Sequence, residues 1–252
     1  SSAYPFVRQR SGSASFFLQA LPRKSVERSF WLCRQPDHHF GSAPRRVNSL
    51  SEFSWIALLL AAYLLGSVPF GYIVGRVRGI DVRQHGSGNV GASNVMRLLG
   101  VPAGILVLLL DALKGYMGVA MMRMAGYDTP ELLLLVGLCA VAGHTWSVFL
   151  RFRGGRGVAT SLGVLIALAP AVAAVAFFTW VVVLLLTRYI SLSSVVAGAV
   201  LPIPMSLFKQ PGVYILGGFV IFMLDVYRHV PNFRRLLSGT EPNIGHRVEV
   251  TK

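Results

Sequence analysis

The sequence predicts an all-α integral membrane protein with seven transmembrane helices, its N-terminus outside and its C-terminus cytoplasmic. Three observations carry that expectation. The 252 residues are 54% hydrophobic and only 13% charged, where a soluble domain carries about 25% charged residues. The apolar residues fall in runs that can cross a bilayer, which takes about 20 residues. The net charge of +14 sits in short connections and in the first fifty residues rather than on an amphipathic soluble surface. That distribution fits positive-inside orientation and anionic substrates, not nucleic acid.

Residues 1–50 differ from the rest. They hold eight Lys/Arg against Glu27 and Asp37, are rich in serine and contain no long apolar run. Arg- and Ser-rich, acid-poor leaders resemble transit peptides; a disordered tail or an upstream extension fits equally. The expected division is therefore a basic leader at 1–50 and a membrane domain at 51–252. Cys33 and Cys139 are far apart and imply neither a disulfide framework nor a metal site.

The expected spans are 53–74, 101–122, 131–150, 158–187, 192–208 and 212–227. The fourth, Val158–Thr187, is thirty residues without a charge, with Pro170 inside it. As one helix it would reach about 45 Å, against a hydrocarbon core of about 30 Å. Parity favours two helices broken at Pro170. With seven spans, the connections at 75–100, 151–157 and 188–191 share one side with the tail. They collect thirteen Lys/Arg, while the other side, from residue 75 onward, receives only Arg123 and Lys209. One long helix would move Arg188 and the basic tail across and weaken that bias.

Three polar segments then meet on the cytoplasmic face. "HGSGNVGASNVMRLLG" (85–100) offers Ser87, Asn89, Ser93, Asn94 and Arg97 on a glycine-rich backbone. If 93–99 is helical, Ser93 and Arg97 share a face. "LRFRGGRGVATSLG" (150–163) interleaves three arginines with Gly154, Gly155 and Gly157. Glycine lets backbone amides approach a ligand and arginine offers a planar donor fork, a combination suited to phosphate; a loop that only orients the protein has the same charge. In "YRHVPNFRRLLSGTE" (227–241), Pro231 suits the first turn of a short helix, which would align His229, Asn232 and Arg235. Within the spans, Asp111, Lys114 and Asp225 need partners. Asp111 and Lys114 are three apart and can pair with each other.

"GSGNVGASNVMR", "GHTWSVFLRFRGGRGVAT" and "HVPNFRRLLSGTE", in this order, closely resemble the three motifs of the bacterial acyl-phosphate:glycerol-3-phosphate acyltransferases, the PlsY family. "LGSVPFGY" and "LDALKG" fit the same pattern, and the resemblance covers about 53–245. It implies a seven-helix enzyme of the bacterial inner membrane with its active site on the cytoplasmic side. The implied reaction moves a fatty acyl group from acyl phosphate to the 1-hydroxyl of sn-glycerol 3-phosphate. The products are lysophosphatidic acid and phosphate, in the first step of phospholipid synthesis, with no metal or other cofactor. Membrane lipid surrounds such an enzyme, and a functional link to an acyl-phosphate-forming enzyme follows.

By that resemblance Ser87, Arg97, His229 and Asn232 are catalytic, Gly154, Gly155, Gly157, Ser194 and Arg235 belong to substrate or phosphate binding, and Glu241 supports the structure. From their chemistry Arg156 is expected to bind phosphate with Arg97 and Arg235, and Asn89 to orient the substrates. Two positions depart from the family pattern. Arg156 stands where GGKG has lysine, and Ser93 where GATN has threonine. The second keeps a hydroxyl; the first keeps the charge but changes its shape and donors.

The chemistry needs little more than these groups. Acyl phosphate is a mixed anhydride with a good leaving group, so positioning two anions and stabilising charge at the carbonyl suffice. The proton of the attacking hydroxyl goes either to His229 or to a phosphate oxygen of the donor. Rival chemistries lack their signatures. No histidine has an aspartate five residues on, and only seven scattered acids follow residue 52. The alternative from another class is an organic-anion or phosphate transporter. It would place polar groups near the midplane, often in inverted repeats.

Overall fold

The computed structural model describes residues 54–245, and these contain helices and no strand. The 1–50 leader lies outside the described residues. Six segments are long and apolar enough to cross a membrane: Ser54–Val77, Val101–Met124, Pro130–Leu150, Pro170–Thr187, Ile190–Leu207 and Gly212–Leu237. Between the third and fourth lies a shorter apolar helix, Val158–Leu168. The chain reads α1 Ser54–Ser67, α2 Phe70–Val77, α3 Ala92–Leu99, α4 Val101–Met124 and α5 Pro130–Thr145. It continues as α6 Val158–Leu168, α7 Pro170–Thr187, α8 Ile190–Val200, α9 Pro202–Leu207 and α10 Gly212–Leu237.

Proline sets most of the breaks. The 158–187 run divides at Ala169, and Pro170 opens α7, where its missing N–H costs nothing. The first and fifth segments are also interrupted, before Phe70 with Pro69 as N-cap and at Pro202, which their hydropathy does not reveal. Pro231 departs from expectation. It does not start a helix but lies inside α10, which runs unbroken through the third motif. Proline leaves the carbonyl four residues back without its donor. That residue is Tyr227, 65% exposed, so the freed group faces the helix's outer side, where water or lipid head groups reach it.

The core is built on small residues. Ala62, Val119, Val136, Ala140 and Val164 join α1, α4, α5 and α6 in one cluster. A Cβ at Gly163 would collide with the Ala112 carbonyl, and one at Gly115 with the Thr160 carbonyl. Helices α4 and α6 therefore touch backbone to backbone, as small residues permit between membrane helices. Arg123, in the last turn of α4, donates to the Ala167 carbonyl at 2.8 Å and so caps the far end of α6. Large apolar side chains such as Leu109, Phe178, Leu185 and Leu186 point outward. On a soluble protein that would be an aggregation surface; here it is the face presented to lipid.

The intramembrane charges find partners. Asp111 Oδ1 lies 2.8 Å from Lys114 Nζ and 3.5 Å from His144 Nδ1. Lys114 also donates to the Val68 carbonyl at 2.9 Å, joining α4 to the break after α1. Asp225 pairs with His229 on α10.

Candidate active site

The 85–100 loop is shaped by Asn94. Its side chain is fully buried. Its Oδ1 accepts the Ser87 N–H at 2.9 Å, and its Nδ2 donates to the carbonyls of Val82 and His85. Asn89 Oδ1 accepts the Gly91 N–H at 2.7 Å, an Asx turn that leads into α3. Ser93 and Arg97 both lie on α3, as their spacing predicts. Ser87 is exposed, and Arg97 is half-buried. Arg97 Nη2 reaches the Pro242 carbonyl at 3.4 Å. Beside this loop, Arg83 forks onto Asp81 and holds its carboxyl down at about 2.

The glycine loop serves two purposes. The N–H groups of Gly154 and Gly155 donate to the carbonyls of Thr145 and His144. Arg228 Nη2 donates to the carbonyls of the same two glycines at 3.1 and 2.9 Å. A Cβ at Gly154 would strike the His144 carbonyl, and one at Gly155 the His144 imidazole. The close approach that requires glycine here is thus to the protein's own α5, not to a ligand. Gly157 is different. It is the N-cap of α6, with φ +92°, a conformation glycine adopts freely. Gly157, Val158 and Ala159 bring the N-terminus of α6 to the wall of a cavity, and the first amides of a helix are suited to an anion.

Arg156 stands beside them. Its Nε is buried with no partner among the described residues. Burial, with repulsion from Arg235 and Arg97 opposing the pull of Glu241, pushes it down to about 10. Burial also lowers Arg97, which feels Glu241 and Arg235. Arg97, Arg156 and Arg235 therefore share the field of Glu241, with Asp225 adding to it at Arg156, and positive charge remains in excess.

That carboxylate is a hub. Glu241 Oε1 accepts from Ser191 Oγ at 2.8 Å and from Asn232 Nδ2 at 2.6 Å, while Oε2 accepts from Arg235 Nε at 2.8 Å. Burial opposes its charge, but these bonds outweigh it and hold the carboxyl below its usual range. Glu241→Ala strands three donors, and removing one member of a buried pair costs about 3–5 kcal/mol. A loss of that order is expected in thermal unfolding of the detergent-solubilised protein; Glu241→Gln keeps an acceptor and should lose less. Because the folded pKa is lowered, this contribution is complete above about pH 4.3 and fades as pH falls through the folded value. An acid titration of melting temperature should show a larger loss in the wild type than in Glu241→Gln, which keeps only the contribution of other lowered carboxyls such as Asp81.

His229 Nδ1 lies 2.8 Å from Asp225 Oδ1 and 2.9 Å from the Asp225 carbonyl. Both neighbours are acceptors, so Nδ1 carries the proton and neutral His229 keeps Nε2 as an acceptor. His229, Arg156, Asn89, Gly157 and Ser194 line one cavity of about 190 Å³ whose remaining wall is mostly apolar. Ser87, Arg97, Gly154, Gly155, Asn232, Arg235 and Glu241 are not on its wall. Arg97, Arg235 and Glu241 form the charged cluster next to Arg156. Ser194 has its hydroxyl engaged, donating to the Ile190 carbonyl and accepting from Trp180 Nε1.

The cavity wall also includes Asp225, Ser93 and Trp180, which the motifs did not mark as site residues. Asp225 had a legible signal, an acid one helical turn before His229. Trp180 lies in a featureless apolar run and had none.

An all-helical membrane protein that sets a cationic, amide-rich anion seat over an apolar cavity is the class this fold and site define. The family model for glycerol-3-phosphate acyltransferase matches residues 56–239, and the chain belongs to that family. It is 48% identical over 194 residues to glycerol-3-phosphate acyltransferase 2 of Moorella thermoacetica, covering 77% of this chain and 99% of that protein. It is 45% identical to glycerol-3-phosphate acyltransferase of Desulforudis audaxviator, covering 79% and 100%. The fold is similar to the crystal structure of PlsY (YgiH), an integral membrane glycerol 3-phosphate acyltransferase, in its glycerol 3-phosphate form. There the TM-score is 0.73 at 41% identity, covering 76% of this chain and 96% of that one.

Proposed function

We propose that the chain transfers a fatty acyl group from acyl phosphate to the 1-hydroxyl of sn-glycerol 3-phosphate, releasing lysophosphatidic acid and phosphate. The observation that carries this reading is the cavity itself. Arg156, Asn89 and His229 line it together with Ser93, Asp111, His144 and Asp225, and apolar side chains from α6, α7, α8, α9 and α10 make up most of the remaining wall. One site thus suits a dianionic acceptor and a lipid-tailed donor. Arg97, Arg156 and Arg235 bind phosphates. Ser87, Asn89 and Asn232 orient the substrates. The amides at the start of α6 receive a phosphate or the developing oxyanion. Gly154 and Gly155 serve by holding that turn against His144, and Ser194 forms part of the wall. The Asp225–His229 couple favours His229 Nε2 as acceptor of the hydroxyl proton. As the hydroxyl oxygen attacks the acyl carbonyl, its proton passes to the imidazole, and the acyl–phosphate bond breaks to release phosphate.

The same reading takes the short α6 as a seventh crossing, with the N-terminus outside and the C-terminus inside. The basic connections and the site then face the cytoplasm of a bacterial inner membrane, where an acyl-phosphate-forming enzyme would supply the donor. Purified protein in detergent, given acyl phosphate and labelled glycerol 3-phosphate, should yield labelled lysophosphatidic acid and phosphate. Absence of product, with anion uptake into sealed vesicles instead, would support the transporter reading.

The acyltransferase domain is assigned to 51–252, since the family match begins at residue 56. A chain starting at Ser51 is expected to insert and to turn over like the full chain. Normal insertion without activity would show that residues 1–50 contribute to the site.

A further inference from the structure

The cavity has two ends of different chemistry, and buried apolar residues line the one away from His229. Along α10 its wall is Gly218, Ile221, Leu224, Asp225 and His229, one stripe at helical spacing. Eleven residues separate Gly218 from His229, a rise of about 16 Å. With C–C bonds of about 1.5 Å in a zigzag, an extended alkyl chain of about a dozen carbons covers that distance. At the Gly218 end, Met205, Leu201, Leu165 and Ala176 are all buried and pack in one apolar cluster. A Cβ built on Gly218 would come within 3.0 Å of Met205 Sδ and 3.2 Å of its Cε. The thioether therefore rests directly on the bare backbone of Gly218, its tip occupying space that any other residue on α10 would claim. Methionine is unbranched and adapts to such gaps, so its position depends on what lies beneath it.

We propose that Met205, seated on Gly218, is the stop that sets the longest acyl chain the cavity accepts, which makes this pair the chain-length determinant of the donor. The proposal rests on the reading that this cavity takes the donor's acyl chain. A side chain at 218 pushes the thioether into the cavity and shortens it. Truncation of Met205 removes the stop and lengthens it. Neither residue is near the polar end, so the chemistry on a short donor should be spared.

The test measures kcat/KM of the purified full chain with octanoyl, dodecanoyl and palmitoyl phosphate, which bracket the length of the cavity, glycerol 3-phosphate being saturating. A single methylene in an apolar pocket discriminates by about tenfold or more. Gly218→Val is therefore expected to lower the dodecanoyl-to-octanoyl ratio by at least about tenfold, with the octanoyl rate close to wild type. Met205→Ala is expected to raise the palmitoyl-to-octanoyl ratio. Activity on octanoyl phosphate reports that each variant is folded. A uniform loss at all three lengths in either variant, or unchanged ratios, overturns the proposal. The wild-type arm tests the separate reading beneath it: no turnover of any acyl phosphate would remove the donor assignment itself.

Discussion

Arg97→Ala and Arg156→Ala are each expected to lower kcat/KM for glycerol 3-phosphate by about 10²–10³-fold, the scale of losing one preorganised donor to a developing or bound anion. The lysine variants should separate the two. Arg97 projects from α3 toward the segment after α10 and adds to a field shared with Arg156, Arg235 and Glu241. Its worth lies in the planar fork, which an ammonium does not reproduce, so Arg97→Lys should fail nearly as badly as alanine. Arg156→Lys, by contrast, restores the residue usual in the GGKG pattern and keeps the charge, and should stay within about tenfold of wild type. Steady-state kinetics with varied acceptor at saturating acyl phosphate decide the matter. A wild-type Arg97→Lys would remove the bidentate role.

His229→Ala is expected to reduce kcat by about 10²–10⁴-fold, the usual contribution of a positioned acid–base group. His229→Gln and His229→Asn should be equally poor, because an amide can donate but cannot take the proton. Asp225→Asn should fall between wild type and His229→Ala. It leaves the ring held by the Asp225 carbonyl but removes the carboxylate that stabilises the imidazolium formed when His229 takes the proton. If glutamine instead rescues much of the activity, a phosphate oxygen of the donor takes the proton and His229 only positions it.

Much of this arrangement was legible in the sequence because the bilayer imposes a length. Thirty uncharged residues do not fit as one straight span, and parity of charge then pointed to Pro170, where the chain breaks. The interruptions at Pro69 and Pro202 lie inside runs of ordinary length, so no such conflict exposed them. Pro231 carried a local signal for a helix start that tertiary structure overrode, since α10 had already begun and its freed carbonyl lies on an exposed side. The glycine loop was recognised, but not what its glycines face. Composition announces that a backbone comes close to something; only the fold reveals that at Gly154 and Gly155 the something is His144. Glu241 could be singled out by motif alone. Its place beneath Ser191, Asn232 and Arg235 needs the return of the chain after α10.

The two-ended cavity means that the substrates are counted in different units. The acceptor arrives from water, and its effective supply is a bulk molarity. The donor's tail partitions into the bilayer or micelle, so its supply is a mole fraction of the surface. Adding inert detergent at fixed total acyl phosphate spreads the donor over more surface and slows turnover, while the half-saturating acceptor concentration is untouched. Crowding the same donor into less surface restores the rate. An enzyme built this way senses how densely its membrane is loaded with activated chains, not how many the cell contains.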